Sequence, residues 1–296
     1  MRTGSPAGSG RLVGDMRLTK HHGLGNDFLV LLDPDASHPL DPEVARALCA
    51  RHTGVGADGV IRAVPATAGG PARVVMELFN ADGSRAEMSG NGIRCLAQAL
   101  ALGWPGLGAV GTDVAIQTGS GLRVVRVLDR PDAVTHVLSV AMGEPVVEGE
   151  APEWTGGPVA RALRVDIGNP HLVLEVGPGA ARLVPGPIAD DVDLVALGEA
   201  VNAKVPGGAN VHLVMPAEGG IAMRSYERGV GLTQACGTGA CASAAAARTW
   251  GLVGDVVGVD MPGGRAEVRL DPGGEAVLEG PATYVGAVEL GVSPWR

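Results

Sequence analysis

Ser89-Gly90-Asn91-Gly92 and Cys236-Gly237-Thr238-Gly239 are the two segments of this 296-residue chain whose residue types and spacing best suit chemistry. Each ends a turn and opens an apolar, Ala-rich stretch that reads as helix. The first N–H groups of a helix have no internal acceptor, and the helix dipole leaves partial positive charge there. Glycines let the backbone come close to a ligand. Backbone N–H groups near Gly90, Asn91, Gly237 and Thr238 are therefore candidates for binding a carboxylate. A thiol at a helix start has its thiolate favoured, so Cys236 is expected to have a lowered pKa.

The two segments are copies of one pattern. Sliding Phe79–Cys95 by 147 positions lays it on Tyr226–Ala242 without a gap, with Ser89 on Cys236 and Gly90 and Gly92 on Gly237 and Gly239. Gly25–Leu31 matches Gly168–Leu174 at a shift of 143, and Gly56-Ala57-Asp58 resembles Gly208-Ala209-Asn210 at a shift of 152. Three matches in one order indicate a domain duplication rather than a solenoid of short repeats. Two similar halves facing each other put similar groups on opposite sides of one cleft. That is the geometry for taking a proton from one face of a carbon and returning one to the other.

The elements that must position these groups are read from periodicity. Helices are predicted at Pro42 to Cys49, capped by Asp41, at Ile93 to Leu102, and from about Gly239 to Trp250. Numerous consecutive strands fill the rest, with at most two helices per half and no alternating βαβ pattern. The fold class is α+β with mixed or antiparallel sheets. The expected division is an N-terminal half of 16–138 plus 281–296, a C-terminal half of 139–280, and a loose extension over 1–15. Thr53 to Gly59 contains a literal G-x-G-x-x-G, but it follows a helix and precedes a strand, the reverse of the dinucleotide-binding order, and reads as a loop.

Composition narrows the function. The net charge is −9 with no Lys/Arg cluster, which argues against a nucleic-acid or anionic-membrane partner. No apolar run reaches the roughly 18 residues of a membrane span. Four cysteines (49, 95, 236, 241) in a chain this long are not a disulfide framework, and a reducing cytoplasm is the expected location. Cys236 and Cys241 are poorly spaced for a metal, so no zinc site is expected.

Taken with their order, these motifs resemble the diaminopimelate epimerase family. The resemblance is carried by Lys20-His21-His22-Gly23-Leu24-Gly25-Asn26-Asp27-Phe28, by Asn80-Ala81-Asp82-Gly83-Ser84 followed by Gly90-Asn91-Gly92 and Arg94-Cys95, and by Gly168-Asn169-Pro170-His171. The loop at Asn210, Tyr226-Glu227-Arg228-Gly229 and Ala235-Cys236-Gly237-Thr238-Gly239-Ala240 complete it, so it runs from about Met16 to the C-terminus. The resemblance implies two pseudo-symmetric halves with mixed or antiparallel sheets wrapped around a helix, and the site between them. It implies cofactor-independent, metal-free epimerisation of LL-diaminopimelate to the meso form, for lysine and peptidoglycan synthesis. Its partner is then a dicarboxylic diamino acid. Oligomeric state is left open, a homodimer being the one assembly entertained.

Carried onto this sequence, the resemblance makes Cys236 and residue 89 the two acid/base groups. Glu227 is expected to orient the substrate ammonium or tune Cys236, and His171 to sit near a catalytic residue as proton partner. Arg228 suits a bidentate grip on the distant carboxylate. Asn26, Asn80, Asn169 and Asn210 offer donors and acceptors for the second stereocentre. Two departures stand out: the family has Cys where this chain has Ser89, and usually Glu where it has Leu232. An alcohol is a far weaker acid than a thiol. Three explanations remain open: an engineered Cys-to-Ser variant, a natural Ser/Cys pair, or a related enzyme with another substrate. The alternatives in function are an epimerase or dehydratase of a proline-type amino acid, and a protein impaired at Ser89 that only binds its ligand.

Overall fold

The computed structural model describes residues 16–104, 106–177 and 192–290. The expected loose extension over 1–15 lies outside them. The N-terminal half runs β1 (Met16–Gly23), β2 (Asn26–Leu32), α1 (Pro42–Cys49), β3 (Gly59–Pro65), β4 (Val74–Asn80), β5 (Arg85–Ala86), α2 (Gly90–Gly103), β6 (Asp113–Thr118), β7 (Gly121–Asp129) and β8 (Thr135–Gly143). The C-terminal half runs β9 (Val146–Glu150), β10 (Val159–Asp166), β11 (Pro170–Val176), α3 (Leu194–Lys204), β12 (Asn210–Ala217), β13 (Gly220–Glu227), β14 (Gly231–Thr233), α4 (Gly237–Thr249), β15 (Val256–Met261), β16 (Gly264–Leu270) and β17 (Ala276–Leu290).

Strand pairing turns each half into a wrap around one helix. In the first, β1, β2, β3, β4, β6, β7, β8 and β17 pair in sequence, and β17 returns to β1. In the second, β9 pairs through β10, β11, β12, β13, β15 and β16 to the start of β17. The duplication is visible in the ladder directions. β2–β3 and β4–β6 are parallel in one half, β11–β12 and β13–β15 in the other, and the remaining pairs of both wraps are antiparallel. The expected boundaries at 138/139 and 280/281 fall inside β8 and β17. These two long strands pair with each other and join the halves directly.

One expectation needs refining and another holds. Each half contains one βαβ crossover, with α1 joining β2 to β3 and α3 joining β11 to β12, so alternation is present locally within an α+β whole. The G-x-G-x-x-G segment is a loop between α1 and β3, as read, and Gly54 there packs on the α1 carbonyls.

The wrapped helices are buried on every side because strands surround them. Ile93, Leu96, Ala97 and Leu100 of α2 are buried, as are Ala240, Ala242 and the run Ala244 to Ala247 of α4. A helix that is hydrophobic all round belongs in a core. The alanines keep α4 thin enough for the second wrap.

Candidate active site

The two helices begin against each other. A methyl group on Gly237 would lie 2.9 Å from the Cα of Gly90, and one on Gly90 would lie 3.1 Å from the Cα of Gly237. Only glycine allows this approach. Ser89 is the N-cap of α2, its Oγ accepting the Gly92 N–H at 3.0 Å. Cys236 is the N-cap of α4, its Sγ accepting the Gly239 N–H at 3.4 Å. The N–H groups of Gly90, Asn91, Gly237 and Thr238 precede the first intrahelical bond of their helices. Asn91, Gly237 and Thr238 line, with Ser89 and Cys236, one cavity of about 270 Å³ shared by both halves, while Gly90 lies just behind its wall against Gly237.

A buried cation stands behind this nest. Arg94, fully buried in α2, donates to Gly90 O at 3.1 Å and to Asn91 Oδ1 at 2.7 Å, and among the described residues no carboxylate pairs with it. Desolvation pushes its pKa down to about 10, so it is charged at neutral pH and adds to the positive potential at the helix starts.

The Cys236 thiol departs from expectation. Burial, and then the negative charge of Glu227, push its pKa well above the usual thiol value, against the smaller opposing effects of the Gly239 N–H and Thr238. The expected lowering from the helix start is therefore overridden. Glu227 is raised in turn, first by its own burial, although it hydrogen-bonds Cys236 and accepts from Thr233 Oγ1 at 2.7 Å. Thiol and carboxylate form one hydrogen-bonded pair in which the carboxylate opposes charge on the thiol, while the thiol's hydrogen bond favours charge on the carboxylate. The proton they hold can pass between sulfur and oxygen with no change in net charge.

The other expected site residues are placed as follows. Asn26, Asn80, Asn169, Asn210, Glu227 and Arg228 all line the cavity. Asn26 is committed to the protein, donating to Asp58 Oδ2 at 2.8 Å and accepting from Asn91 at 3.1 Å. Asn91 also donates to Ala235 O at 2.9 Å, so its side chain ties the halves together and leaves its backbone N–H for a ligand. Asn210 accepts from the Arg228 N–H at 2.9 Å. Asn80 donates to Ser84 Oγ at 3.0 Å. His171 does not reach the cavity wall. Both its ring nitrogens are engaged, by Asn169 at 2.9 Å and His212 at 2.8 Å, so it meets neither Ser89 nor Cys236 directly.

The family model described as Diaminopimelate epimerase matches residues 18–148 and 163–285. The chain belongs to the diaminopimelate epimerase family. A family member from Zymomonas mobilis, named diaminopimelate epimerase, is 36% identical over 277 residues, covering 90% of this chain and 94% of that one. One of the same name from Corynebacterium glutamicum is 37% identical over 281 residues, covering 92% and 96%. Among solved structures, a probable proline racemase from Agrobacterium radiobacter superposes with a TM-score of 0.72 at 20% identity, over 94% of each chain. A phenazine biosynthesis protein from Bacillus anthracis gives 0.69 at 14% identity, over 94% and 99%. At such identities these two show the fold alone.

The family motifs account for part of the wall but not for its charged residues Asp58, Arg85, Glu87 and Arg123. Asp58 holds Asn26 and pairs with Arg51. Arg123 lies on β7 in phase with buried Val125 and Val127, a charge on the inward face of a strand, and that misplaced charge was the signal available in the sequence. Leu232, the family's usual Glu position, is 48% exposed and off the cavity wall. Among the described residues no group of three or more His, Cys, Asp or Glu could hold a metal ion, and no helix is long and apolar enough to cross a membrane.

Proposed function

We propose that the protein interconverts LL- and meso-diaminopimelate by proton exchange at one Cα. One observation carries this: two abutting helix starts, capped by Ser89 and Cys236, open into one shared cavity. The α-proton of an amino acid is a very weak acid, so the carbanion's charge must be held elsewhere. The substrate carboxylate sits against the N–H groups of Gly90, Asn91, Gly237 and Thr238, with Arg94 behind. It gains hydrogen bonding as charge moves onto its oxygens.

Cys236 passes its proton to Glu227 and, as thiolate, takes the proton from Cα. The opposite face is protonated by the Ser89 hydroxyl, whose oxygen is then held by the Gly92 N–H and the start of α2 until solvent reprotonates it. No carboxylate or imidazole hydrogen-bonds Ser89 among the described residues, so this is the slow half of the exchange. Arg228 grips the distal carboxylate. Three guanidinium groups on the wall, Arg85, Arg123 and Arg228, disfavour a proline-type substrate, which has no second carboxylate.

Incubation with LL-diaminopimelate in D2O tests the reading. Deuterium at one Cα with meso product is expected, and Ser89→Cys should raise turnover by orders of magnitude. Binding without any exchange would leave only the ligand-binding alternative. Exchange with a proline derivative but not with diaminopimelate would reassign the substrate.

A further inference from the structure

Behind Asn169 lies a buried row of polar side chains that the proton transfers do not use. Ser225 Oγ is 2.9 Å from His212 Nδ1, His212 Nε2 is 2.8 Å from His171 Nδ1, and His171 Nε2 is 2.9 Å from Asn169 Oδ1. The row crosses three adjacent strands: β11 pairs with β12, and on β13 Ser225 is the register partner of His212.

The end of the row fixes its direction. An amide oxygen can only accept, so His171 Nε2 carries the proton. A neutral imidazole has one N–H, so His171 Nδ1 accepts, His212 Nε2 donates, and His212 Nδ1 accepts from the Ser225 hydroxyl. Both rings are neutral at working pH. Burial takes His212 to about 3, and burial, His212 and Arg228 together hold His171 well below the usual imidazole range.

His212 also supports the start of α4. A methyl group on Gly239 would collide with its ring, and Gly239 is the residue whose N–H caps Cys236. In the other half the corresponding space beneath Gly92 is filled by the methyl end of Ile61. Packing at that spot therefore requires bulk but not polarity, and the polarity of His212 calls for another reason.

We propose that His212 is a positioning residue that fixes the His171 tautomer and thereby turns the Asn169 amide so that its NH2 group donates into the cavity, toward a carboxylate of the bound substrate. Asn169 lines the cavity, and its Nδ2 has no acceptor among the described residues. An apolar residue at 212 leaves His171 Nδ1 without a donor. Nothing then holds the imidazole proton on Nε2, and the Nδ1–H tautomer, in which Nε2 accepts and the Asn169 amide reverses, becomes accessible. Its oxygen would face the carboxylate and repel it. The inference rests on the amino-acid reading of the cavity, and the first measurement below is independent of any substrate.

Long-range proton–nitrogen NMR correlation on the ligand-free protein should show His171 and His212 both as Nε2–H tautomers. His212→Leu should bring the Nδ1–H form of His171 into view and raise KM for diaminopimelate severalfold, in proportion to the share of that form, with a smaller change in kcat. Asn169→Ala, which removes the amide outright, should raise KM about 10- to 100-fold, the size expected for a hydrogen bond to a charged group. His212→Gln, which can accept from Ser225 and donate to His171, should keep the Nε2–H form and a KM close to the parent's. A parent protein with His171 as the Nδ1–H tautomer overturns the proposal, whether or not His212→Leu folds. So does a His212→Gln variant as impaired as His212→Leu. Correct tautomers with no activity on diaminopimelate would leave the relay standing and sink only the substrate.

Discussion

The two helix starts share a backbone and divide the chemistry unequally. Both carry a capping side chain, two glycines and a contact at Gly90 and Gly237. Behind Cys236 stand Glu227, hydrogen-bonded to it, and His212 beneath Gly239. At the matching positions behind Ser89 stand Asn80, bonded to Ser84, and Ile61 beneath Gly92. The position of Arg94 on α2 is matched by Cys241 on α4. One half thus holds the proton-sharing thiol and carboxylate, and the other holds a buried cation that no carboxylate pairs with among the described residues. Duplication supplied the convergent N–H groups twice. Divergence then separated the group that handles the proton from the charge that steadies the carbanion.

If the halves are unequal in this way, removing their capping side chains must have unequal effects. Cys236→Ala should abolish deuterium exchange at Cα, a loss of about 10³-fold or more, at the upper end of what one acid/base group contributes. Ser89→Ala should cost less, because a hydroxyl without a base beside it contributes less. Equal losses measured by NMR of the α-position would break the comparison, since they would make Ser89 a full partner.

Where the halves are alike, substitutions should act alike. Gly90→Ala and Gly237→Ala each place a methyl group about 3 Å from the backbone of the other helix. Overpacking of this kind costs about 1–3 kcal/mol, which should lower Tm by several degrees in either variant. Both should also weaken substrate binding, because the N–H nest opens. A calorimetric scan showing one variant normal would mean that the helix starts do not meet as described.

These features differ in how far they can be read from sequence. The capping residues, the glycines and the shift of 147 are local patterns, so both helix starts and the whole of α1 with Asp41 as its cap were legible. The thiol of Cys236 was misjudged because the local rule for a helix start says nothing about burial or about Glu227, which arrives from β13. His212 carries no local pattern that marks it, since only the fold brings its ring under Gly239. α3 escaped because its sequence has no clean apolar face and contains Gly198, whose missing side chain makes room for the Tyr226 ring. β9 was hidden inside the Pro/Gly-rich stretch from Gly143 to Pro158.

The thiol and carboxylate of the second half sharpen the contrast further. Iodoacetamide reacts with the thiolate, so Cys236 should be alkylated slowly near neutral pH, its thiol being held protonated by burial and by the charge of Glu227. Glu227→Gln removes that charge. The pH midpoint of alkylation should move down while epimerisation falls, because the thiolate becomes easier to form but loses the group that receives its proton. An upward or absent shift would show that the two side chains are not coupled.

The smallest effect expected concerns stability. The folded-state pKa of Glu227 is raised above its ordinary 4.5, chiefly by burial, so the fold disfavours its charged form. Below about 4.5 the carboxyl is neutral in folded and unfolded chains alike, and no penalty applies. As pH rises through the folded value, the unfolded chain ionises freely while the folded one resists, and stability is lost. Glutamine keeps the acceptor for Thr233 without the charge. Glu227→Gln should therefore melt a few degrees higher than the parent at pH 7, on the order of 2–4 °C per kcal/mol for a chain of this size, and at the same temperature as the parent at pH 4. Asn80→Asp adds a carboxylate at the matching position of the other half, where the bond to Ser84 is exposed to solvent, whereas that of Glu227 to Thr233 is part-buried. There a charge meets less desolvation, and the same pair of scans should show a smaller difference between pH 7 and pH 4. A larger one would mean that the burial of charge, like the N–H nest, is common to both halves.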